Sequence, residues 1–145
     1  MQPAPGLGRG HTLIEVVLVL CIIGLVTVPA VHALAYQLDR IAARSAIAEA
    51  AGVIARARDE ALTRREPVGL RIDARSGTLT LRAGEQRLAL HTLGHVHGVT
   101  LASTRDSIAF DPRGLGYGAA NLTLIARRGT AADTLVVSRL GRVRF

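Results

Sequence analysis

The sequence predicts an α+β fold in which one long N-terminal helix packs on a small antiparallel β-sheet or sandwich. Two observations lead to this prediction. Residues 16–35 contain no charged side chain, and apolar residues continue at helical spacing beyond them to about Arg65. After Glu66 and Pro67 the apolar period changes to two, which is typical of strands.

The uncharged segment from Val16 to Ala35 is long enough to cross a membrane. About 20 helical residues rise about 30 Å, which matches the hydrocarbon core of a bilayer. A secretory signal peptide explains it poorly, because signal peptides have a shorter apolar core followed by a small-residue cleavage site. Glu15 lies at the start of the segment. A carboxylate inside a membrane helix costs roughly 2.5–3.5 kcal/mol, so we expect Glu15 to have a function and a partner.

From Tyr36 to about Arg65 the helical pattern becomes amphipathic, with acidic residues and arginines alternating on the polar face. The whole helix would run from about His11 to Arg65, or about 80 Å. Pro29 lacks a backbone donor and crowds the preceding turn, which predicts a helix kink there. The apolar stripe of the second half is predicted to contain Ile47, Ala51, Ile54, Ala57 or Ala61, and Leu62.

The C-terminal half alternates between apolar and polar residues in short segments separated by turn signals. Turn residues recur every 8–12 positions or so, as in small antiparallel sheets and sandwiches. The segments predicted as strands are 68–73, 77–82, 87–91, 96–101, 107–110, 121–126, 134–138 and 142–145.

The composition leaves room for one membrane helix and one small domain within 145 residues. The chain carries 18 basic and 11 acidic side chains, a net charge of +7, and every basic side chain is an arginine. The complete absence of lysine indicates a coding bias more than a choice of ligand. The single cysteine, Cys21, lies inside the apolar segment, so the C-terminal domain would fold without an internal disulfide.

The start of the chain carries a recognisable motif, in Gly10, Thr12, Leu13, Ile14, Glu15 and Gly24. It resembles the leader of type IV pilins and type II secretion pseudopilins, in which Phe usually stands where this chain has His11. The resemblance implies that a prepilin peptidase cuts between Gly10 and His11 and that His11 is methylated. It also implies that Glu15 meets the N-terminal amine of a neighbouring subunit during assembly. The alternative for Glu15 is an acid that snorkels to the headgroups.

Two segments of the C-terminal half, 108–114 and 136–144, resemble the GspH/FimT family. GspH proteins are minor pseudopilins of type II secretion, and FimT proteins are minor pilins of type IV pili, some tied to DNA uptake. The resemblance implies a type IV pilin-like fold. It divides the chain into a leader (1–10), a transmembrane half-helix (11–35), an amphipathic half-helix (36–65) and a periplasmic β-rich domain (66–145).

The function implied is that of a minor pseudopilin in a periplasmic filament for protein export. Such a subunit would cross the inner membrane once, with its C-terminal domain in the periplasm. Its partners would be prepilin peptidase and the other pilin or pseudopilin subunits. The alternative is a FimT-like minor pilin that binds DNA through a basic C-terminal edge. A membrane-anchored enzyme or receptor is a third interpretation, which no site residues support.

The candidate DNA-binding residues are five arginines in the last 19 residues, where Asp133 is the only acid. Arginine-rich surfaces bind phosphates by charge-assisted hydrogen bonds and counterion release. Nearby aromatic residues are scarce, so such binding would engage the DNA backbone and not the base sequence. A solvated basic edge that discourages sheet aggregation explains the same residues equally well. The five are Arg127, Arg128, Arg139, Arg142 and Arg144.

The remaining motifs point to no chemistry. His95 and His97 would share a face on a strand, with His91 nearby, but no cysteine or well-spaced acid accompanies them as in zinc sites. The glycines at 114, 116 and 118 do not join a strand to a helix, so they form no phosphate loop. We therefore predict no catalytic residues, no metal, no cofactor and no enzyme activity.

Overall fold

The computed structural model describes residues 12–117, 121–138 and 141–145. Helix α1 spans Leu13–Arg64. Its first turn is closed by the Thr12 carbonyl, which accepts hydrogen bonds from the backbone N–H groups of Glu15 (3.0 Å) and Val16 (3.3 Å). The chain divides into two compact units between Ala35 and Tyr36.

The first part of α1 exposes its apolar side chains on every side. Leu13, Ile14 and Leu25 are 74–82% exposed, and α1 contains a window of mean hydropathy 2.7, apolar enough to cross a membrane. An apolar helix with no buried face needs an apolar solvent or a partner. Pro29 lies inside α1, and two residues earlier the Thr27 hydroxyl donates to the Ile23 carbonyl at 2.6 Å. Both features favour bending, and the kink remains a prediction.

Helix α1 ends where the sequence changes period. Arg65 adopts a left-handed backbone (φ 56°), and Pro67, two residues further on, has no backbone N–H to donate. The helix therefore ends here. Strands β1 (Val68–Asp73), β2 (Thr78–Ala83), β3 (Gln86–His91) and β5 (Ser107–Phe110) then form an antiparallel sheet in the order β3-β2-β1-β5.

The second sheet is also antiparallel and has the order β4-β6-β7-β8. It contains β4 (Thr100–Ser103), β6 (Leu122–Arg128), β7 (Ala131–Val137) and the two-residue edge strand β8 (Val143–Arg144). The short helix α2 (Leu93–His97) joins β3 to β4. The described residues thus contain eight strands, close to the segments predicted, and the α+β fold is confirmed.

The core is built by the second part of α1 and the inner faces of both sheets. Alternate residues of β1 (Val68, Leu70, Ile72) and of β6 (Leu122, Leu124, Ala126) are buried, as half-buried strands require. Leu62 is 44% exposed, so the predicted stripe was wrong at this residue, and Ala51 is only partly buried. The buried face of α1 consists of Ala43, Ala46, Ile47, Ala50, Val53, Ile54, Ala57 and Ala61.

The strand predicted over 96–101 was wrong in its first half, because residues up to His97 belong to α2. Leu93 is fully buried and anchors this short helix. Gly98 ends it with a left-handed backbone (φ 62°), a conformation that glycine adopts without steric cost. His95 and His97 therefore do not share the face of a strand, and His95 is exposed.

A polar cluster joins α1 to β3 and α2. One carboxylate oxygen of Glu49 lies 3.0 Å from Nδ1 of His91, and the other lies 2.8 Å from Nε2 of His97. The hydrogen bond with His97 is the largest cause that lowers the pKa of Glu49 below its ordinary value of 4.5, against the effect of burial. Arg128 Nη1 donates to the His97 carbonyl at 3.0 Å, and Arg128 Nε pairs with Asp39 at 3.0 Å.

The Glu49 cluster predicts a pH-dependent contribution to stability. Because the folded state lowers the Glu49 pKa, the contribution is complete above pH 4.5 and is lost as the pH falls through the folded pKa. We expect Glu49→Gln to lower the free energy of unfolding of the fragment 36–145 at pH 7, with a smaller difference from wild type near pH 3. Urea denaturation across this range measures it. Glu85→Gln, at a fully exposed side chain, is the control, and a pH-independent difference for Glu49→Gln contradicts the prediction.

Candidate functional site

Glu15 lies in the first turn of α1, among exposed apolar side chains. A carboxylate at this end of a helix is favoured by the helix dipole and by the backbone N–H groups of the first turn. The predicted cleavage and methylation positions, Gly10 and His11, lie outside the described residues. The part of the site that the structure shows is therefore a single acid at the start of a long apolar surface.

The five arginines of the predicted basic edge lie in different surroundings. Arg128 is held by Asp39 and by the His97 carbonyl, so its guanidinium braces the fold. Arg127 is exposed and lies opposite Ala132 on β7, whereas Arg144 lies opposite Val136. Ala132 and Val136 are four residues apart on β7, which corresponds to about 13 Å along the strand. Arg139 lies outside the described residues.

Arg142 and Arg144 form the part of the edge that the structure brings together. The Ser138 backbone N–H donates to the Arg142 carbonyl at 2.9 Å, and β8 pairs with β7 in the same sheet. Within residues 12–117, 121–138 and 141–145, no carboxylate lies within 4.0 Å of either guanidinium group. Both arginines are thus available for a phosphate or carboxylate from another molecule.

These two arginines border a groove of about 670 Å³ between β8 and the second part of α1. We call it the α1–β8 groove. Its helix wall adds one arginine and one acid, Arg58 and Asp59, beside apolar side chains. The complete lining is Ile54, Ala55, Arg58, Asp59, Leu62, Gly141, Arg142, Val143 and Arg144.

Two features of the structure could not be predicted from local sequence patterns. Arg58 looks like any exposed helix arginine, because only the fold shows that β8 returns beside it. The Glu49 pairing with two histidines joins residues more than 40 positions apart. In the part of the chain that the structure describes, no group of three or more His, Cys, Asp or Glu residues is arranged to hold a metal ion.

Comparison with known proteins identifies the fold. The crystal structure of the type IV minor pilin FimU from Pseudomonas aeruginosa (strain PAO1) in space group P21 aligns with a TM-score of 0.61 and 17% identity, covering 71% of this chain and 87% of FimU. A second FimU crystal form, P65, aligns with a TM-score of 0.57 and 17% identity, over 70% and 90% of the two chains. No curated protein matches the chain. At this identity the likeness shows the fold, which is type IV pilin-like.

The family is shown by sequence. A family model described as Type II transport protein GspH matches residues 46–141, from the buried face of α1 to the turn before β8. This match and the pilin fold confirm the resemblance found in the sequence, and they identify a minor subunit of a type II secretion or type IV pilin-like assembly. More than half of the chain is covered, so this protein belongs to the GspH family.

Proposed function

We propose that this protein is a minor pseudopilin of a type II secretion system, a subunit of a periplasmic filament that exports proteins. The observation that carries the proposal is the joining of a GspH-family domain to an exposed apolar helix that begins with one carboxylate. The apolar part of α1 would hold the subunit in the inner membrane, with the β-rich domain in the periplasm. We also propose that the chain divides into a leader (1–10), a transmembrane half-helix (11–35), an amphipathic half-helix (36–65) and a periplasmic β-rich domain (66–145).

In the proposed pathway, prepilin peptidase cuts between Gly10 and His11, and the new amine of His11 is methylated. The subunit then leaves the membrane by packing its apolar helix among those of other subunits. Glu15 would meet the N-terminal amine of a neighbouring subunit there. A charge pair in a medium of low dielectric constant offsets much of the desolvation of each partner, so a mismatched register would be disfavoured.

The Glu15 pairing can be tested by substitution. We expect Glu15→Ala to insert into the membrane at the wild-type level but to be incorporated into filaments at least several-fold less, because the neighbouring amine loses its counter-charge. Immunoblots of sheared filaments and of the membrane fraction measure the two pools. Leu18→Ala, at another exposed position of the same helix, is the control for reduced apolar packing between subunits. Wild-type incorporation of Glu15→Ala would contradict the pairing.

A second candidate function is DNA binding by a FimT-like minor pilin. The specific observation in its favour is that Arg142 and Arg144 line the α1–β8 groove and form no ion pair with a described carboxylate. Arginine binds phosphate oxygens through a planar fork of donors. Arg127, Arg128 and Arg139 belonged to the same sequence prediction, but Arg128 is already occupied by Asp39.

DNA binding is tested with the double variant Arg142→Gln/Arg144→Gln in a salt series. We expect micromolar binding of duplex DNA that falls with salt, and a log–log salt slope that is flatter by roughly 0.9 for each phosphate that the variant no longer neutralises. The matched control is Arg71→Gln/Arg87→Gln, which removes the same charge from exposed positions of the other sheet. Equal weakening in both double variants, or no binding by wild type at low salt, would leave these arginines as a solvated edge.

A further inference from the structure

The α1–β8 groove has a third arginine, which comes from the helix and not from the basic edge. Arg58 lies on α1 and faces the same groove as Arg142 and Arg144. The three arginines thus line the groove from two walls, one formed by α1 and one formed by β8. Apolar side chains, including Leu62 and Val143, lie among them.

Arg58 lies close to a glycine. Gly114 has a left-handed backbone (φ +74°), and a Cβ atom placed on it would lie 3.1 Å from Arg58 Nε and 3.2 Å from both Leu62 methyl carbons. Glycine therefore gives the Arg58 side chain room to lie along the turn at Gly114. A Cβ atom placed on Gly141 would lie 3.0 Å from the Phe110 ring, so glycine at this position leaves room for that buried ring. Of the two glycines, only Gly114 borders a side chain of the helix wall, and Gly141 borders the core.

The charge of the groove is strongly unbalanced. Three arginines face one acid, Asp59, so the lining carries 3 − 1 = +2. In the described ranges none of the three guanidinium groups has an ion pair, whereas the nearby Arg64 pairs with Glu60 at 2.8 Å on the same helix. Uncompensated cations beside an apolar floor form a surface complementary to a polyanion.

We propose that the α1–β8 groove holds the phosphate backbone of DNA and that Arg58 is a phosphate-contacting residue in it. This inference rests on the DNA-binding function proposed above and adds the helix wall to the binding surface. Duplex DNA carries phosphates all along its length, so arginines on both walls can contact its backbone whatever the base sequence. The lining has no aromatic side chain for stacking bases, which favours contact with the backbone.

The test measures duplex DNA binding by the full chain in nanodiscs of phosphatidylcholine, which carries no net charge. We expect Arg58→Gln to weaken binding about five- to tenfold at 0.1 M salt and to flatten the log–log salt slope by roughly 0.9. Arg58→Lys keeps the charge and should retain most of the affinity. Asp59→Asn removes the only acid of the groove and should tighten binding. Arg71→Gln, at an exposed position of the other sheet, is the matched control and should change little.

The outcomes separate this inference from the function on which it rests. If Arg58→Gln matches Arg71→Gln while Arg142→Gln/Arg144→Gln weakens binding, the helix wall plays no part and the inference is overturned, although DNA binding stands. If the wild-type chain binds no DNA, both fail. Poly-glutamate serves as a second probe. If Arg58→Gln loses poly-glutamate binding but keeps DNA binding, the occupant is an acidic polypeptide and the inference is overturned.

Discussion

The structure depends on the burial of one face of α1 against both sheets. Eight side chains of this face are at most 3% exposed, and five of them are alanines. They recur every three or four residues, so they form one stripe along the helix. The two sheets have no described strand in common, and the core cluster that joins them includes this stripe from Ala46 to Ala61. Burial of apolar area against the stripe therefore holds the two sheets together.

The same constraint explains where the charged side chains of α1 lie. Because core side chains occupy the inner face of α1, its charged side chains lie on the flanks of the helix. There they lie beside residues of the two sheets and of α2. On one flank Glu49 meets two histidines and Asp39 meets Arg128, and both contacts tie α1 down. On another flank Arg58 lies beside β8, where it forms no ion pair with a described carboxylate. The paired groups hold α1 to the sheets, whereas the arginines of the α1–β8 groove are the ones proposed above to bind a ligand.

Local patterns in the sequence predicted most of the architecture. The change of period at Pro67 located the end of α1, and two-residue alternation located the strands. Helix α2 was missed because five residues are too few to show a helical period and Val96 favours a strand. Exposed Leu62 was assigned to the core because periodicity cannot show where the sheet stops covering a helix. The α1–β8 groove and the Glu49 cluster depend on long-range contacts, which no local pattern contains.

We propose that this GspH-family chain is made as a prepilin and becomes a membrane-anchored filament subunit. The most direct measurement is the intact mass and N-terminal sequence of the protein purified from membranes of a host that has prepilin peptidase. We expect a chain that begins at His11, with one methyl group on its new amine. A chain that retains residues 1–10, or one cut after the apolar segment by a signal peptidase, would show that the protein is not processed as a prepilin.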